Sequence, residues 1–390
     1  MKITIAIDSF KGSLSTLQAG NAAVLGIRRV FPNAEIRVFP IADGGEGTVD
    51  ALVSGLHGAY RTAAVSDPLG RKISANYGIL PNGTAVIEMA AASGLPLLSP
   101  AERNPLHATT YGFGQLIRDA IVHGCRSFIL GIGGSATNDG GVGCLQALGF
   151  EFLDGNGKQV AFGAKGLSDI VRISDENAIH EFKECTFHVA CDVKNPLCGE
   201  DGCSAVFAPQ KGADAEMVAR MDGDLRHFAE LTKRFAPDAD ADHAGAGAAG
   251  GLGFGLMTYL GAKLESGIDL VIRETGLEDA VKAADLVITG EGCLDAQTAM
   301  GKAPVGVAKI AKKHGKPMIA FSGAVRDGAE LCNAAGIDAF FPILRSVGTL
   351  EDAMDMENAA KNLSDTAEQV EKALPFAPTL PLCNDPRPYL

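Results

Sequence analysis

The amino-acid sequence predicts an α/β fold of two domains, one of which is built from both ends of the chain. Short apolar runs alternate with amphipathic stretches, a pattern typical of parallel strands covered by helices. A chain of 390 residues is too long for one ordinary core and suits two domains. The same strand and helix rhythm occurs near both ends of the chain, whereas the middle follows a different pattern.

The N-terminal elements follow from this periodicity. Residues 3–7 predict a buried strand, residues 16–30 an amphipathic helix, and residues 36–40 the next strand. Near the other end the pattern predicts strands at 286–289, 317–322 and 339–344, with a helix at 304–314. Both ends therefore predict the same layered domain, of the Rossmann-like or flavodoxin-like type.

The middle of the chain predicts a second α/β domain inserted into the first. Its predicted elements are a meander at 72–77 and 85–89, a helix at 111–123 and a strand at 127–130. We expect the first domain to comprise residues 1–75 and 280–374, and the inserted domain residues 76–279. Residues 375–390 hold five prolines without periodicity and predict an extended or disordered tail.

Composition excludes several classes of function. The net charge is −13 and no stretch concentrates lysine or arginine, which argues against nucleic acid as a partner. Apolar runs such as residues 268–272, itself interrupted by Asp269, are broken by charge well short of the ~20 residues that a membrane helix needs. We therefore expect a cytoplasmic protein. The nine cysteines show no C-x-x-C spacing and are interpreted as reduced thiols.

The 48 glycines are unusually many and concentrate in loops beside predicted strands and helices. The first such loop, residues 8–15, carries Lys11 between a strand and a helix, where a cation among free amides suits an anion. The second, residues 41–48, places Asp43 and Glu46 among three glycines. Paired carboxylates there could bind Mg²⁺ or substrate hydroxyls, although Asp43 could instead cap the helix.

The third loop, residues 131–141, predicts a phosphate site. Its successive backbone amides, helped by Ser135 and Thr137 at an expected helix start, form an anion-binding concavity. The loop also fits the spacing G-x-G-x-x-A of dinucleotide-binding proteins, with Glu151 twenty residues beyond its first glycine. The glycines could also merely turn the chain.

Two further loops complete the set. The fourth, residues 243–255, contains eight consecutive alanines or glycines and is either a hinge or a loop against substrate or nucleotide. The fifth, residues 289–298, carries Glu291 and Asp295 at the end of a strand. Because ligands of open α/β sheets gather at the carboxyl ends of strands, we expect the first, second and fifth loops to converge on one site.

Other motifs narrow the chemistry. The chain has no Walker A sequence and no H-R-D or D-F-G motif, which disfavours P-loop nucleoside triphosphatases and protein kinases. It also has no G-x-S-x-G motif, which disfavours the serine hydrolases that carry this motif. The features that these exclusions leave to be explained are phosphate-binding loops, several carboxylates and a well-placed lysine. This combination favours transfer of a phosphoryl group to a small molecule.

Six motifs in this order resemble those of the bacterial type I glycerate kinases, and the resemblance runs from residue 1 to about 370. The motifs are residues 8–13, 42–48, 131–141, 191–199, 209–212 and 290–297. The resemblance implies two α/β domains and ATP-dependent phosphorylation of D-glycerate with Mg²⁺. It also implies transfer to the 2-hydroxyl, which gives 2-phosphoglycerate. The expected partners are thus D-glycerate and a nucleotide, with no nucleic acid or membrane, and the chain could form a homodimer.

The candidate residues receive the following roles as hypotheses. Asp192, which follows an apolar run, would accept the proton of the attacking hydroxyl, although it could instead cap a turn; Lys11 would neutralise the transferred phosphoryl group. Substrate would contact Ser9, Asp43, Glu46 and Gln297. Nucleotide phosphates would contact Gly133, Gly134, Ser135, Thr137, Asn138 and Lys211. Metal ligands would be Asp43, Glu291 and Asp295.

Two departures from the family pattern and two alternative functions stay open. An arginine usually follows Gly-Glu-Gly in the fifth loop of the family, whereas this chain has Cys293, and the proline-rich end also differs. The alternatives are an NAD-dependent oxidoreductase of hydroxy acids and a ligand sensor without turnover. The first predicts nicotinamide binding and a βαβ unit around Gly131, and the second predicts binding without release of ADP.

Overall fold

The computed structural model describes residues 1–42, 45 and 47–373. The predicted tail at 375–390 lies outside the described residues, as do Asp43 and Glu46. The strands of the described residues are, in chain order, β1 (Lys2–Ile7), β2 (Glu35–Val38), β3 (Ala59–Ser66), β4 (Lys72–Ile79), β5 (Thr84–Glu88), β6 (Ser127–Gly131), β7 (Glu151–Leu153), β8 (Arg172–Ser174), β9 (Thr186–Ala190), β10 (Lys263–Glu265), β11 (Leu286–Leu294), β12 (Met318–Val325) and β13 (Ala339–Pro342).

The α-helices of the same residues range in length from about one turn to 21 residues. They are α1 (Thr16–Arg28), α2 (Thr48–Gly55), α3 (Ala90–Ser93), α4 (Tyr111–Val122), α5 (Val142–Ala147), α6 (Cys203–Phe207), α7 (Ala215–Phe235), α8 (Ala248–Leu260), α9 (Gly267–Thr275), α10 (Leu277–Ala283), α11 (Ala296–Ala299), α12 (Ala303–Lys313), α13 (Leu331–Ala334), α14 (Leu350–Met354) and α15 (Met356–Ala373). In the part of the chain described, no helix combines the length and apolar character that crossing a membrane requires.

The chain divides into two compact units. The first unit comprises Met1–Pro40 and the residues from Leu277 onward, and the second comprises Ile41–Gly276. The sequence analysis placed the first boundary near residue 75, which the structure corrects. Strands β3 and β4 form an antiparallel pair, and β4 pairs in turn with β5, so these strands belong to the sheet of the second unit.

The first unit is a doubly wound α/β layer. Its sheet has the order β2-β1-β11-β12-β13, and every pair is parallel. Numbered within the unit, this is the order 2-1-3-4-5 of flavodoxin-like folds, whose ligands bind where the order reverses, beside the first and third strands. Here those strands are β1 and β11. The predicted α/β class and the contribution of both chain ends to one sheet are confirmed.

Helices cover both faces of this sheet. On one face α1 and α15 pack over Ile3, Ile5 and Ile7 of β1 in a shared apolar core. Gly26 permits close approach of α1 to α15, because a Cβ there would lie 2.0 Å from the carbonyl oxygen of Ser364. On the other face, Thr4 of β1 donates a hydrogen bond from Oγ1 to the carbonyl of Ala280 in α10 at 3.2 Å. Alternation along β1 therefore serves two helical layers.

The second unit contains a six-stranded mixed sheet with the order β10-β9-β6-β5-β4-β3. The pairs from β5 to β10 are parallel, whereas β3 and β4 run antiparallel. Its core includes an aromatic cluster in which the rings of Phe228 and Phe254 pack edge to face at 5.8 Å. The carboxyl ends of β5, β6 and β9 therefore lie side by side. The third loop follows β6, and Asp192 follows the end of β9.

Candidate functional site

In the first unit, the loop after β1 forms a tight turn that presents Lys11 to solvent. The amides of Ser13 and Leu14 both donate to the carbonyl of Phe10, at 2.8 and 3.0 Å, and Gly12 adopts φ +80° at the tip. Lys11 is exposed and Ser9 half-buried beside it. The helix that follows is capped by Ser15, which forms a capping box with Gln18. The turn therefore holds the lysine at the carboxyl end of the sheet.

The fifth loop lies directly against this turn. A Cβ on Gly292 would lie 3.3 Å from Cα of Phe10, a tight contact, so the glycine lets the two backbones approach closely. Glu291 is buried within β11, and its Oε1 accepts from the hydroxyl of Thr298 at 2.5 Å. The hydroxyl of Thr298 also lies 3.4 Å from Oδ1 of Asp295. Glu291 and Asp295 thus converge on one side chain.

Asp295 is held ionised by its surroundings. Burial alone would raise the pKa of its carboxyl, but the backbone amide of Thr298 and the charge of Lys302, 3.8 Å away, lower that pKa overall. Asp295 and Gln297 line an open concavity of about 590 Å³ at this end of the sheet. Within the first unit, the structure therefore brings Asp295 and Gln297 to one hollow, with Glu291 behind it.

In the second unit, the glycine loop after β6 is organised by a buried acid, Asp139. Its carboxylate accepts from the amide and hydroxyl of Thr110 at 2.8 and 2.9 Å and from the amides of Gly141 and Gly143 at 3.2 and 3.3 Å. Burial raises the pKa of Asp139, and these hydrogen bonds oppose the rise. The sequence analysis quoted this residue in its motif without giving it a role; an acid inside a glycine loop was the available signal.

The fourth loop packs on the third. The carbonyl of Gly250 accepts from the amide of Gly140 at 2.9 Å, and a Cβ on Gly250 would lie 2.1 Å from the carbonyl oxygen of Thr137. Gly250 has φ +69°, and Ala249 has φ +53°, a left-handed conformation that is uncommon for a residue with a Cβ. Of the two interpretations of this loop, a hinge or a wall, its position favours the wall, because Ala249 lines the pocket described next.

Lys211 provides a buried ammonium group beside the third loop. Only 2% of the residue is exposed, and its Nζ donates to Oγ of Ser135 at 2.8 Å and to the carbonyl of Thr137 at 2.6 Å. Burial lowers the pKa of Lys211 to about 8, although the nearby Cys203 and Asp139 act in the opposite direction. The lysine is therefore fixed in place before any ligand arrives.

These groups border a pocket of about 420 Å³ within the second unit. Polar contributions come from Ser135, Asp192, Gln210 and Lys211, and apolar walls from residues such as Leu95, Ile132 and Phe207. The amides of Gly133, Gly134 and Ser135 have no hydrogen-bond acceptor among the residues described. The combination of open amides and one ammonium group can bind an anion, and the apolar walls can receive a flat or aliphatic group.

Two predicted contacts of this loop need correction. Thr137 and Asn138 are fully buried and do not line the pocket. The amide nitrogen of Asn138 donates instead to Oγ of Ser204 at 2.8 Å. The loop also reaches no helix at Ser135 or Thr137, since α5 begins only at Val142. Both side chains turn inward because the chain between β6 and α5 folds down against α8, and they support the loop from beneath.

Asp192 lies at the rim of the same pocket, after the end of β9. Its side chain is exposed, and Oδ1 accepts from the amide of Gly267 at the start of α9 at 3.2 Å. A backbone group thus helps to orient this exposed carboxylate. The sequence also allowed Asp192 to cap a turn at Asn195. Among the hydrogen bonds of the described residues, however, the side-chain amide of Asn195 donates to the carbonyl of Asp201 at 2.8 Å.

Glu88 is an acid that the sequence analysis missed. It ends β5, and its Oε1 accepts from the amide of Val49 at 2.8 Å, in the first turn of α2. Burial raises the pKa of Glu88 above its usual range. The residue ties α2 to the sheet at the point where the second loop ends, and Gly45 of that loop lines the pocket. An acid directly after a buried strand was the signal that could have drawn attention to it.

The fold and these two sites define an α/β enzyme that handles anionic ligands at the carboxyl ends of its strands. The sequence matches the Glycerate kinase family over residues 3–375. It is 49% identical to the glycerate kinase of Haemophilus influenzae over 96% of this chain and 99% of that protein, and 46% identical to the glycerate 2-kinase of Escherichia coli over 94% and 98%. The chain belongs to the glycerate kinase family.

A solved structure supports the same assignment for the whole architecture. A crystal structure named for glycerate kinase 2 of Salmonella typhimurium LT2 matches with a TM-score of 0.89 and 45% sequence identity, covering 96% of this chain and 98% of that chain. The predicted fold class, family and kinase activity on an alcohol group are confirmed, and with them ATP-dependent phosphorylation. The family assignment replaces the alternatives of an oxidoreductase and a sensor. The roles of individual residues stay predictions.

Proposed function

We propose that this chain transfers the terminal phosphoryl group of ATP to the 2-hydroxyl of D-glycerate in the presence of Mg²⁺. The observation that carries the proposal is the pocket of the second unit, where the buried ammonium of Lys211 meets open backbone amides. Such a group costs free energy to bury, and an anionic ligand compensates for that cost. Its relatives act on glycerate, as their names state.

The nucleotide phosphates would occupy the polar end of this pocket. Amides of Gly133, Gly134 and Ser135 would donate to phosphate oxygens, and Lys211 would neutralise their charge. The apolar walls near Phe207 would accept the base or ribose. Thr137 and Asn138, which the structure buries, would act only by holding the loop.

The acceptor hydroxyl would lose its proton to Asp192, provided that it approaches within hydrogen-bond distance during transfer. The bond from Gly267 leaves this carboxylate oriented and exposed, as a general base requires. Lys11, exposed on its turn, would offset charge on the transferred group, and Ser9 and Gln297 would contact the acceptor. Asp43 and Glu46, also proposed for the acceptor, lie outside the described residues.

Glu291 and Asp295 fit a magnesium ion in their chemistry. Mg²⁺ is usually held by one or two carboxylates together with substrate phosphates and waters, and these two carboxylates converge on Thr298. No group of three or more His, Cys, Asp or Glu side chains suited to a metal occurs among the described residues, so phosphate oxygens would have to complete the shell. When bound, the ion would neutralise charge that develops on the phosphates.

The test is product analysis with purified protein. ATP, Mg²⁺ and D-glycerate should yield ADP and 2-phosphoglycerate, identified by phosphorus NMR, and omission of glycerate or chelation of Mg²⁺ with EDTA should abolish ADP release. Formation of 3-phosphoglycerate would overturn the proposed position of transfer. ADP release that does not depend on glycerate would contradict the proposed acceptor.

Size-exclusion chromatography with light scattering checks the homodimer, which we propose from the sequence alone. A mass near 80 kDa, about twice the 40.3 kDa of one chain, would support it. A mass near that of one chain would exclude it. The position of the protein in the cell, proposed to be the cytoplasm, can be read from fractionation.

A further inference from the structure

The concavity at the carboxyl ends of β11 and β12 contains an arginine that the reaction scheme above does not use. Its lining comprises Asp295, Ala296, Gln297, Val325, Arg326 and Asp327, all in the first unit. The hollow lies on the β12 side of the central strand β11, whereas the strand order reverses between β1 and β11. It therefore adjoins the position at which ligands of doubly wound sheets bind.

The backbone fixes the place from which Arg326 reaches the hollow. Its amide donates to the carbonyl of Leu294 at 2.9 Å, which continues the pairing of β11 with β12, and its carbonyl accepts from the amide of Ala329 at 3.1 Å. The side chain is exposed, and in the described part of the chain its guanidinium has no ion pair and no hydrogen-bond acceptor. Arg326 thus offers a full set of donors from a rigid strand end.

The remaining groups of the hollow suit the hydroxyls and the carboxylate of a hydroxy acid. The pKa of the Asp295 carboxyl is lowered, which favours its ionised form, and Asp327 is a second acid that lines the hollow. Carboxylates accept hydrogen bonds from hydroxyl groups, and so does the amide oxygen of Gln297. One guanidinium is the partner that a single carboxylate needs, because its planar fork binds both oxygens at once.

We infer that Arg326 binds the carboxylate of the acceptor acid and thereby determines that the enzyme prefers a hydroxy acid to a neutral polyol. This inference rests on the proposed function, which supplies glycerate as the acceptor. It assigns the carboxylate end of the acceptor to the concavity of the first unit. Gln297, which lines the same hollow, is available to accept a hydrogen bond from a hydroxyl of that acid.

The experiment compares three variants by steady-state kinetics and by calorimetric titration with D-glycerate. Arg326→Ala raises the KM and the Kd for D-glycerate about tenfold to a hundredfold, the usual effect of losing a charge-assisted pair, and leaves the KM for ATP within about twofold. Arg326→Lys loses less, because an ammonium retains the charge but not the fork. Arg37→Ala, which removes an exposed arginine of β2 in the same unit, is the matched control and leaves both constants unchanged.

Two further measurements separate the role from a structural effect. Guanidinium ion at millimolar concentration restores glycerate affinity to Arg326→Ala but not to wild type. Glycerol, which has no carboxylate, is phosphorylated equally slowly by wild type and Arg326→Ala. If the KM for glycerate is unchanged in Arg326→Ala, the inference is wrong. Turnover of glycerate by the wild type would still support the proposed function in that case. A rise in the KM for ATP instead would assign Arg326 to the nucleotide. Failure of wild type itself to phosphorylate or bind glycerate would overturn the proposed function.

Discussion

The two units present positive charge to a ligand in opposite ways. In the second unit, Lys211 is buried and its ammonium is already committed to Ser135 and to the carbonyl of Thr137. In the first unit, Lys11 and Arg326 are exposed. A buried cation is costly to desolvate when the chain folds, but it loses little side-chain entropy when a ligand binds. An exposed cation costs little during folding, but it loses side-chain entropy when a ligand binds.

Glycines shape the loops of both sites. In the second unit, Gly250 allows one loop to lie directly on another, and the two loops together form the wall of the pocket. In the first unit, Gly292 lets the fifth loop approach the turn at Phe10, and Gly12, at φ +80°, turns the chain so that Lys11 stands at the tip. The comparison teaches that the second unit holds its cation fixed in a prearranged pocket, whereas the exposed cations of the first unit lose more side-chain freedom when a ligand binds.

The largest expected effect comes from the pocket rim. Asp192→Asn should lower kcat by about 10² to 10⁴ if Asp192 accepts the hydroxyl proton, since an amide oxygen still accepts the bond from Gly267 but cannot take up a proton. The measurement is initial rate with saturating ATP and D-glycerate. Asp201→Asn, another exposed acid of the same unit, is the control. Full activity of Asp192→Asn would remove this residue from the proton transfer.

The prearranged wall can be broken through Gly250. Gly250→Ala should lower the free energy of unfolding by about 3 kcal/mol, because a Cβ would be strained at φ +69° and would meet the Thr137 carbonyl at 2.1 Å. Gly261→Ala, at φ +64° with no atom within 4 Å of a Cβ, isolates the strain and should cost only about 1 kcal/mol. Urea unfolding measures both. Equal losses would mean that contact between the two loops contributes nothing.

The first unit should respond to the loss of Lys11 in turnover. Lys11→Ala should decrease kcat by about 10², if the ammonium stabilises charge that develops during transfer, with no change in the free energy of unfolding. The exposed Lys309 of α12 provides the control variant Lys309→Ala. Unchanged kcat in Lys11→Ala would exclude this lysine from catalysis.

The smallest effect is the pH dependence of nucleotide affinity. Because burial lowers the pKa of Lys211 to about 8, the ammonium is charged below that pH and loses its proton above it. An anion binds the charged form, so the Kd for ATP should rise by up to tenfold per pH unit above about pH 8. Lys211→Arg, whose guanidinium stays charged, should lack this rise. The measurement is titration with ATP from pH 6.5 to 9.5. If the Kd rises equally in the wild type and in Lys211→Arg, Lys211 is not the source of the pH dependence.

Several features of the fold followed from sequence patterns because their causes are local. Apolar periodicity located β1, α4 and β6 to within one or two residues. The boundary of the first domain was placed too late, since β3 and β4 could pair with either sheet and only the neighbouring strand β5 decides between them. Pairing of distant strands is set by the packing of the whole sheet.

The chain by itself determined an α/β fold, loops at the ends of its strands and an abundance of glycine suited to binding phosphate, because periodicity and backbone freedom act over a few residues. Tertiary structure decided which of the polar groups face a ligand. It buried Thr137 and Asn138, enclosed Lys211 and placed Arg326 at a hollow beside Asp295. Burial and desolvation depend on segments that are far apart in the chain, and these two properties set how each side chain acts.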